Sequence, residues 1–475
     1  MGEYVPAIGL EVHVQLKTKS KMFCSCSTDF GAPPNTNICP VCTGQPGVLP
    51  TKNKKAIELA IRAGLVLNCK IQKYSLFARK NYFYPDLPKA YQISQYELPI
   101  SKEGFLMVGD KKIRIIRAHL EEDAGKLLHY IGSTPVDGSL VDLNRCGIPL
   151  LEIVSYPDID SPQMAFDYLK TLRRLLRYAG ISDCDMEKGS LRCDCNVSVR
   201  KIGEKLGVKT EIKNMNSFKE VKDALTYEIE RQTKVLKEGG KIFQETRLWN
   251  PKQGKTFAMR RKEEAHDYRY FPDPDLRPIF LSEEMISEQK KQIPELPADR
   301  KKRYTEMGLS EYQADVIIDE KELADYFEKV AQNSNPCEAA NIIITHLLRQ
   351  INEKNIPYSQ IPLDPQNLSE LVNLKTDGKI TPQIIKRIFP EMFEKNENPK
   401  KLLENIEVVT DEGEIKRIVM DAIQKNAQAW SDYKAGNEKA SGRIIGFVMK
   451  QTKGSADPVK VKKILEELKN ENFDS

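Results

Sequence analysis

An α+β fold is what this 475-residue sequence predicts: a first domain around a largely antiparallel sheet, then a helical domain, then a small helical tail domain. Three observations carry that expectation. Several N-terminal segments alternate polar and apolar residues with period two, the mark of a strand with two unlike faces. Well-signalled helices sit among them without regular βαβ order, which disfavours a parallel sheet. Beyond a proline-marked stretch near residue 295, only helix-period segments remain.

The first strand is Ile8-Gly9-Leu10-Glu11-Val12-His13-Val14-Gln15-Leu16, in which Glu11, His13 and Gln15 share one face and Leu10, Val12, Val14 and Leu16 the other. In Arg117–Asp123 the same parity groups Arg117, His119, Glu121 and Asp123. Pro149-Leu150-Leu151-Glu152-Ile153-Val154 is apolar except for Glu152, a carboxylate costly to bury unless a cation, metal or hydrogen-bond donor meets it. Ser161-Pro162 then opens a helix as N-cap and first helical residue, with Phe166, Leu169, Leu172, Leu176 and Ala179 apolar and Gly180 as its stop. Leu191–Val199 alternates again, placing Arg192, Asp194, Asn196 and Ser198 on one face and the thiols of Cys193 and Cys195 on the apolar one. A second helix opens at Ser217-Phe218-Lys219-Glu220, a capping-box pattern, and closes at Gly239-Gly240. The sheet is therefore expected to carry a polar cleft.

Gln292–Pro297 has the composition of a linker. Helical segments follow at Ala314–Val330, at Ala339–Ile351 and after Thr381-Pro382. A third unit begins near Asn405, with a helix near Glu412–Gln424, the Ile444–Val448 segment and a helix started by Asp457-Pro458. Val461, Ile464, Leu465 and Leu468 form one stripe of that last helix. The domain expectation is 1–292, 293–404 and 405–475.

Charge and cysteine usage narrow the class. The net charge of +5 is matched by Lys434–Asn470 alone, where nine Lys or Arg face four Asp or Glu. A basic tail suits a polyanion such as nucleic acid, and equally a solvated lysine-rich helix surface. No apolar run approaches membrane-spanning length and no signal peptide is evident, while the ten cysteines are scattered as in a reducing compartment. A cytoplasmic protein is expected, with no membrane partner.

Cys24-Ser25-Cys26 and Cys39-Pro40-Val41-Cys42 are two close pairs across a short loop, a pattern able to give a structural zinc four thiolates. Four unligated loop thiols is the plainer alternative. For a hard cation such as magnesium, Glu11, Glu121, Glu122, Glu152 and Asp194 offer oxygen ligands and His13 a nitrogen. Lys80, Lys89, Arg145 and Arg192 are candidates to neutralise phosphate, although each of these groups singly also fits a solvated strand face. There is no Walker loop, no Gly-rich dinucleotide turn and no Ser-His-Asp or Cys-His spacing, so a nucleotide would need another kind of pocket. Two aromatic-rich segments, Arg79–Gln95 and His266–Leu276, interleave Tyr and Phe with Arg and Lys, which suits stacking on bases or half-buried loop anchors.

Taken together, Gly9–His13, Arg79–Gln95, Leu120–Lys126, Val141–Arg145, Gly189–Asp194 and His266–Leu276 closely resemble one family. It is the B subunit of the tRNA-dependent amidotransferase that makes Gln-tRNA(Gln) or Asn-tRNA(Asn). The resemblance covers essentially the whole chain, and Gly446–Met449 with Lys453–Pro458 look like that family's C-terminal tRNA-binding module. It implies that misacylated Glu-tRNA(Gln) or Asp-tRNA(Asn) enters the cleft and that ATP phosphorylates the side-chain carboxylate. Ammonia then displaces phosphate to leave the amide. The ammonia would come from a separate amidase (glutaminase) A subunit through a tunnel, and a small C subunit would clasp the two. By motif match Glu11, His13, Glu121 and Glu152 would hold magnesium, with Glu122, Asp123 and Asp194 behind them. Lys80, Lys89 and Arg192 would position phosphate or the aminoacyl end. The first domain would then be the catalytic cradle. Zinc at Cys24, Cys26, Cys39 and Cys42 rests on spacing alone. A metal-dependent phosphoesterase and a non-catalytic tRNA-binding scaffold are the alternatives, and isolated Glu152 is what the scaffold leaves unexplained.

Overall fold

The computed structural model describes residues 3–261, 268–404, 412–452, 456 and 458–470. His266 and Asp267, the start of the tail near 405, and Lys453–Ser455 with Asp457 lie outside the described residues. The chain divides into two compact units, Met1–Leu296 and Pro297–Ser475, so the first boundary falls four residues beyond the expected 292.

The first unit is built on a nine-stranded sheet. Its order is Lys255–Arg261, Glu245–Asn250, Thr210–Lys213, Leu191–Lys201, Tyr4–Gln15, Pro149–Ser155, Lys111–Glu122, Ser101–Val108 and Lys70–Ile71. Every pairing is antiparallel except that of Thr210–Lys213 with Glu245–Asn250. Alternation survives as a difference between faces. Leu10, Val12 and Val14 are buried with Cys193, Cys195, Leu151, Ile153 and Leu120 in one hydrophobic core. Cys193 and Cys195 are thus core thiols, as their parity requires.

Three helices, Lys54–Val66, Pro162–Tyr178 and Phe218–Lys237, cover that apolar face and share its core. The second is capped by Ser161, whose Oγ accepts the Met164 N–H at 3.2 Å, and ends before Gly180 at φ +67°. The third is capped by Ser217 on Glu220 N–H at 3.1 Å, but the reciprocal half of the capping box is altered: Glu220 accepts from Asn216 N–H instead. A smaller sheet of Ala78–Asn81, Tyr91–Ser94 and Phe271–Pro272 brings the two aromatic segments together.

Among its described residues the second unit holds helices and no strand. The expected helix Ala314–Val330 is two, Glu311–Ile318 and Lys321–Ala331, because Glu320 between them is extended at φ −120° and ψ 128°. The expected helix Ala339–Ile351 lies inside Pro336–Lys354, which carries one π turn at Ile343–Leu347. Helices Glu412–Lys425, Ala427–Lys434, Ser441–Gln451 and Pro458–Asn470 follow. The last three stripe residues, Ile464, Leu465 and Leu468, are buried beside Val461, Ile415 and Val448. No helix among the described residues is long and apolar enough to cross a membrane.

Candidate active site

The face of the sheet opposite those helices gathers the polar residues that parity assigns to it. The central strand Tyr4–Gln15 pairs His13 with Glu152 on one side and with Arg192 on the other, and Glu11 with Asp194. Next along the sheet, Glu152 pairs with His119. Segments more than a hundred residues apart thereby deliver one constellation. His13 Nε2 lies 3.3 Å from Glu152 and 3.7 Å from Glu121, and His119 Nε2 lies 3.7 Å from Glu152 and 3.9 Å from Glu121. Arg117 approaches Glu152 at 3.6 Å. Two overlapping sets, Glu11-His13-Glu152 and His119-Glu121-Glu152, each have ligand-capable atoms within 4.8 Å of one another.

Burial sets the electrostatics. Burial and the neighbouring Glu152 push the Glu121 carboxyl up to about 7. Burial and Glu152 also raise Glu11. Glu152 behaves oppositely: burial opposes its charge, but His119, His13 and Arg117 hold it below the ordinary carboxylate range. Burial likewise works against a charged His13, yet its hydrogen bond to Glu152 and the charges around it raise it to about 9. His119, which burial dominates, is held down to about 4. Near neutrality the set therefore holds a firm carboxylate in Glu152, an imidazolium in His13, a neutral imidazole in His119 and, in Glu121, a carboxyl poised to ionise. A hard divalent cation fits such a set, since it supplies the charge that mutually repelling buried carboxylates lack.

The basic candidates divide. Arg192 is on the cleft face and clamps Asp123 through two bonds of 2.9 and 3.1 Å, with Gln15 donating to the same carboxylate at 2.8 Å. Burial opposes the Asp123 charge, but Arg192 and Arg145 outweigh it and keep this carboxyl depressed. Arg145 instead turns to the backbone, donating to the carbonyls of Ala124 and Gly125, with Asp123 3.7 Å away. Lys80 sits over Tyr268 at 4.9 Å and Tyr82 at 5.7 Å and acts on the charges of Glu121 and His119. Asp194 is paired with Lys213, which also meets Glu211 at 3.0 Å.

Glu122 and Lys89 do not join this group. Glu122 has the opposite parity to Glu121, faces the core side at the strand's end and forms a buried ion pair with Lys89. Its carboxylate also accepts the Ile93 N–H at 3.0 Å. The two residues line a cavity of about 120 Å³ with Lys21, Cys42 and Tyr91.

The four cysteines converge, all four sulfurs lying within 4.8 Å of one another. Tetrahedral zinc with Zn–S near 2.3 Å wants sulfurs about 3.8 Å apart, so only a small contraction separates this set from a thiolate shell. One thiol is already poised: the Cys24 hydrogen bond, acting against burial and helped by the Cys39 N–H and Lys21, brings Cys42 down to about 4. Burial and the Cys39 hydrogen bond raise Cys26 to about 11. The donor set fits zinc, and Cys24, Cys26, Cys39 and Cys42 are the residues to hold it.

Four contributors carry no motif of their own in the sequence. For His119 and Arg117 the available signal is strand parity with Glu121, which puts them on the cleft face. Lys213 lies on a four-residue strand too short for alternation to identify. Lys21 belongs to an irregular segment where no periodicity applies.

Residues 6–287 match the family model described as the GatB/GatE catalytic domain, and residues 325–468 match the one described as the GatB domain. The chain is similar to the B subunit of the aspartyl/glutamyl-tRNA(Asn/Gln) amidotransferase of Persephonella marina, at 53% identity over 98% of this chain and 99% of that one. The B subunits of the same enzyme from Caldanaerobacter subterraneus subsp. tengcongensis and Thermotoga maritima are 52% and 50% identical, each over 98% of this chain and 99% of theirs.

Proposed function

This chain belongs to the family of aspartyl/glutamyl-tRNA(Asn/Gln) amidotransferase B subunits, components of a tRNA-dependent amidotransferase, and from that membership we propose that its cleft is where a misacylated tRNA is amidated. The substrate is Glu-tRNA(Gln), Asp-tRNA(Asn) or both. ATP phosphorylates the side-chain carboxylate, and ammonia attacks the resulting acyl phosphate, releasing phosphate and leaving the amide. An amidase A subunit supplies the ammonia by hydrolysing glutamine, and a small C subunit completes a cytoplasmic heterotrimer. The basic Lys434–Asn470 segment of the tail binds the tRNA body.

The observation that carries this reading is Glu152, 5% exposed in the otherwise apolar run Pro149–Val154 and met by His13, His119 and Arg117. Such a carboxylate is costly to bury and serves no packing purpose. Glu11, His13, Glu121 and Glu152, with His119 beside them, are the residues to hold magnesium, which when bound would neutralise phosphate charge. Arg192, aimed by Asp123 and Gln15, orients the anionic end of the substrate, since a fixed guanidinium fork matches phosphate and carboxylate geometry. Lys80 lies on the aromatic side of the cleft and neutralises the transferring phosphoryl group. Tyr82, Tyr268 and Tyr270 beside it keep bulk water from that side.

The test is a reconstituted assay with the partner subunits, ATP, magnesium, glutamine and each misacylated tRNA, the esterified amino acid being identified by mass spectrometry. Amide appearing only with ATP is expected, and the tRNA converted gives the specificity. Unchanged Glu and Asp on every tRNA, in a verified complex, would leave a tRNA-binding scaffold as the better account. Phosphate-ester cleavage independent of the amino acid would favour the phosphoesterase.

A further inference from the structure

Lys21 is fully buried, an unusual state for an ammonium group. It sits between the central strand and the first cysteine pair, and its backbone N–H bonds to the Cys26 carbonyl at 3.0 Å. Its side chain makes two polar contacts: Nζ lies 3.5 Å from Cys42 Sγ and 3.3 Å from the Leu143 carbonyl oxygen. Among the described residues no carboxylate lies within 4.0 Å of it, and Glu122 across the cavity is committed to Lys89. A buried cation without a carboxylate needs another anion.

The cysteine cluster supplies one. Four thiolates around one divalent zinc carry a formal charge of minus two, and Cys42 is the most buried of the four, at 4% exposure. Zinc sites are tuned by the groups that hydrogen-bond to their ligands. We propose that Lys21 is the internal charge partner of the four-cysteine centre, donating N–H···S to Cys42 and thereby setting the affinity of the knuckle for zinc. The second bond, to Leu143, ties the centre to the loop that carries Arg145 and, through it, the backbone at Ala124 and Gly125. Asn35 reinforces the tie from within the cysteine loop, donating from Nδ2 to the Val141 carbonyl at 2.9 Å and accepting the Leu143 N–H at 2.8 Å. This role rests on the zinc reading of the cysteines.

The experiment is zinc competition against a chromophoric chelator on the full-length protein, with metal content measured by mass spectrometry. Lys21→Met and Lys21→Gln are expected to lower zinc affinity by about 10–100-fold, the usual cost of losing such an outer partner. Lys21→Arg, which keeps charge and donors, is expected to stay near the wild type. Lys52→Gln serves as the control, because that lysine lines the outer groove of the knuckle and bonds to the Arg277 carbonyl at 2.7 Å rather than to sulfur. Should Lys21→Met fail to fold, the Gln and Arg variants still decide. Wild-type affinity in folded Lys21→Gln overturns the charge-partner role and leaves the zinc site standing. Wild-type protein without zinc, and unable to take it up, overturns both.

Discussion

At the scale of single residues, the site is organised by which charges its burial permits. Glu152 stays ionised because two imidazoles and Arg117 surround it, whereas Glu121 and Glu11 are pushed toward protonation in the same environment. Replacing Glu152 by Gln removes the firm anion that His13, His119 and Arg117 meet, with little change of shape. Amidation is expected to fall by about 10²–10³-fold, in the range for a preorganised electrostatic group, with tRNA affinity nearly unchanged. Filter binding and single-turnover amidation measure the two, and unaltered turnover would remove Glu152 from the site. Cation binding should also be linked to protons. Glu121 at about 7 and His13 at about 9 both hold protons near neutrality that a metal must displace. Magnesium affinity is therefore expected to climb as pH rises from about 6 to about 9 and then level off. Calorimetry in buffers of differing ionisation enthalpy would register the released protons; a flat profile would take both groups out of the ligand set. Parity alone left Glu121 and Glu122 exchangeable by a one-residue slip. The observed pairing of Leu150 with Glu121 puts Glu121 in the cleft and Glu122 against Lys89.

At the scale of elements, the strands present the chemistry and the helices hold them in place. Pro162–Tyr178 buries Leu169, Leu172 and Leu176 against the sheet from its apolar side, and its start depends on Ser161. Ser161→Ala leaves the Met164 N–H without its partner and is expected to cost about 1 kcal/mol, read as a lower urea midpoint at unchanged slope. An unchanged midpoint would mean that packing alone fixes the helix start. Local signals of this kind were legible because capping chemistry acts within four residues. The break at Asp319–Glu320 was not, since the hydrophobic period runs on through it and no glycine or proline interrupts the sequence.

At the scale of the whole molecule, the chain forms two compact units, and the basic excess near its end is confined to Lys434–Asn470. The first carries the cleft. The second ends in the helix Pro458–Asn470, whose apolar stripe is buried while Lys462 and Lys463 stay exposed. A chain ending at residue 404 is expected to bind tRNA roughly tenfold or more weakly, with a shallower dependence of log affinity on log salt, because phosphate contacts release fewer counterions. Full affinity in the truncated chain would contradict a tRNA role for the tail.

Period-two patterning by itself determined which side chains share a face, because a strand's alternation is a property of its own backbone. Glu11, His13, Glu152 and Asp194 could therefore be nominated before any strand was paired, and the cysteine spacing could nominate a knuckle. Only the tertiary structure decided who meets whom. It laid Tyr4–Gln15 between Pro149–Ser155 and Leu191–Lys201, made His119 a partner of Glu152, and gave Asp194 to Lys213. It also buried Lys21 against Cys42. Those contacts join residues separated by 19 to more than 100 positions, and no local periodicity encodes a neighbour brought in by the fold of the sheet.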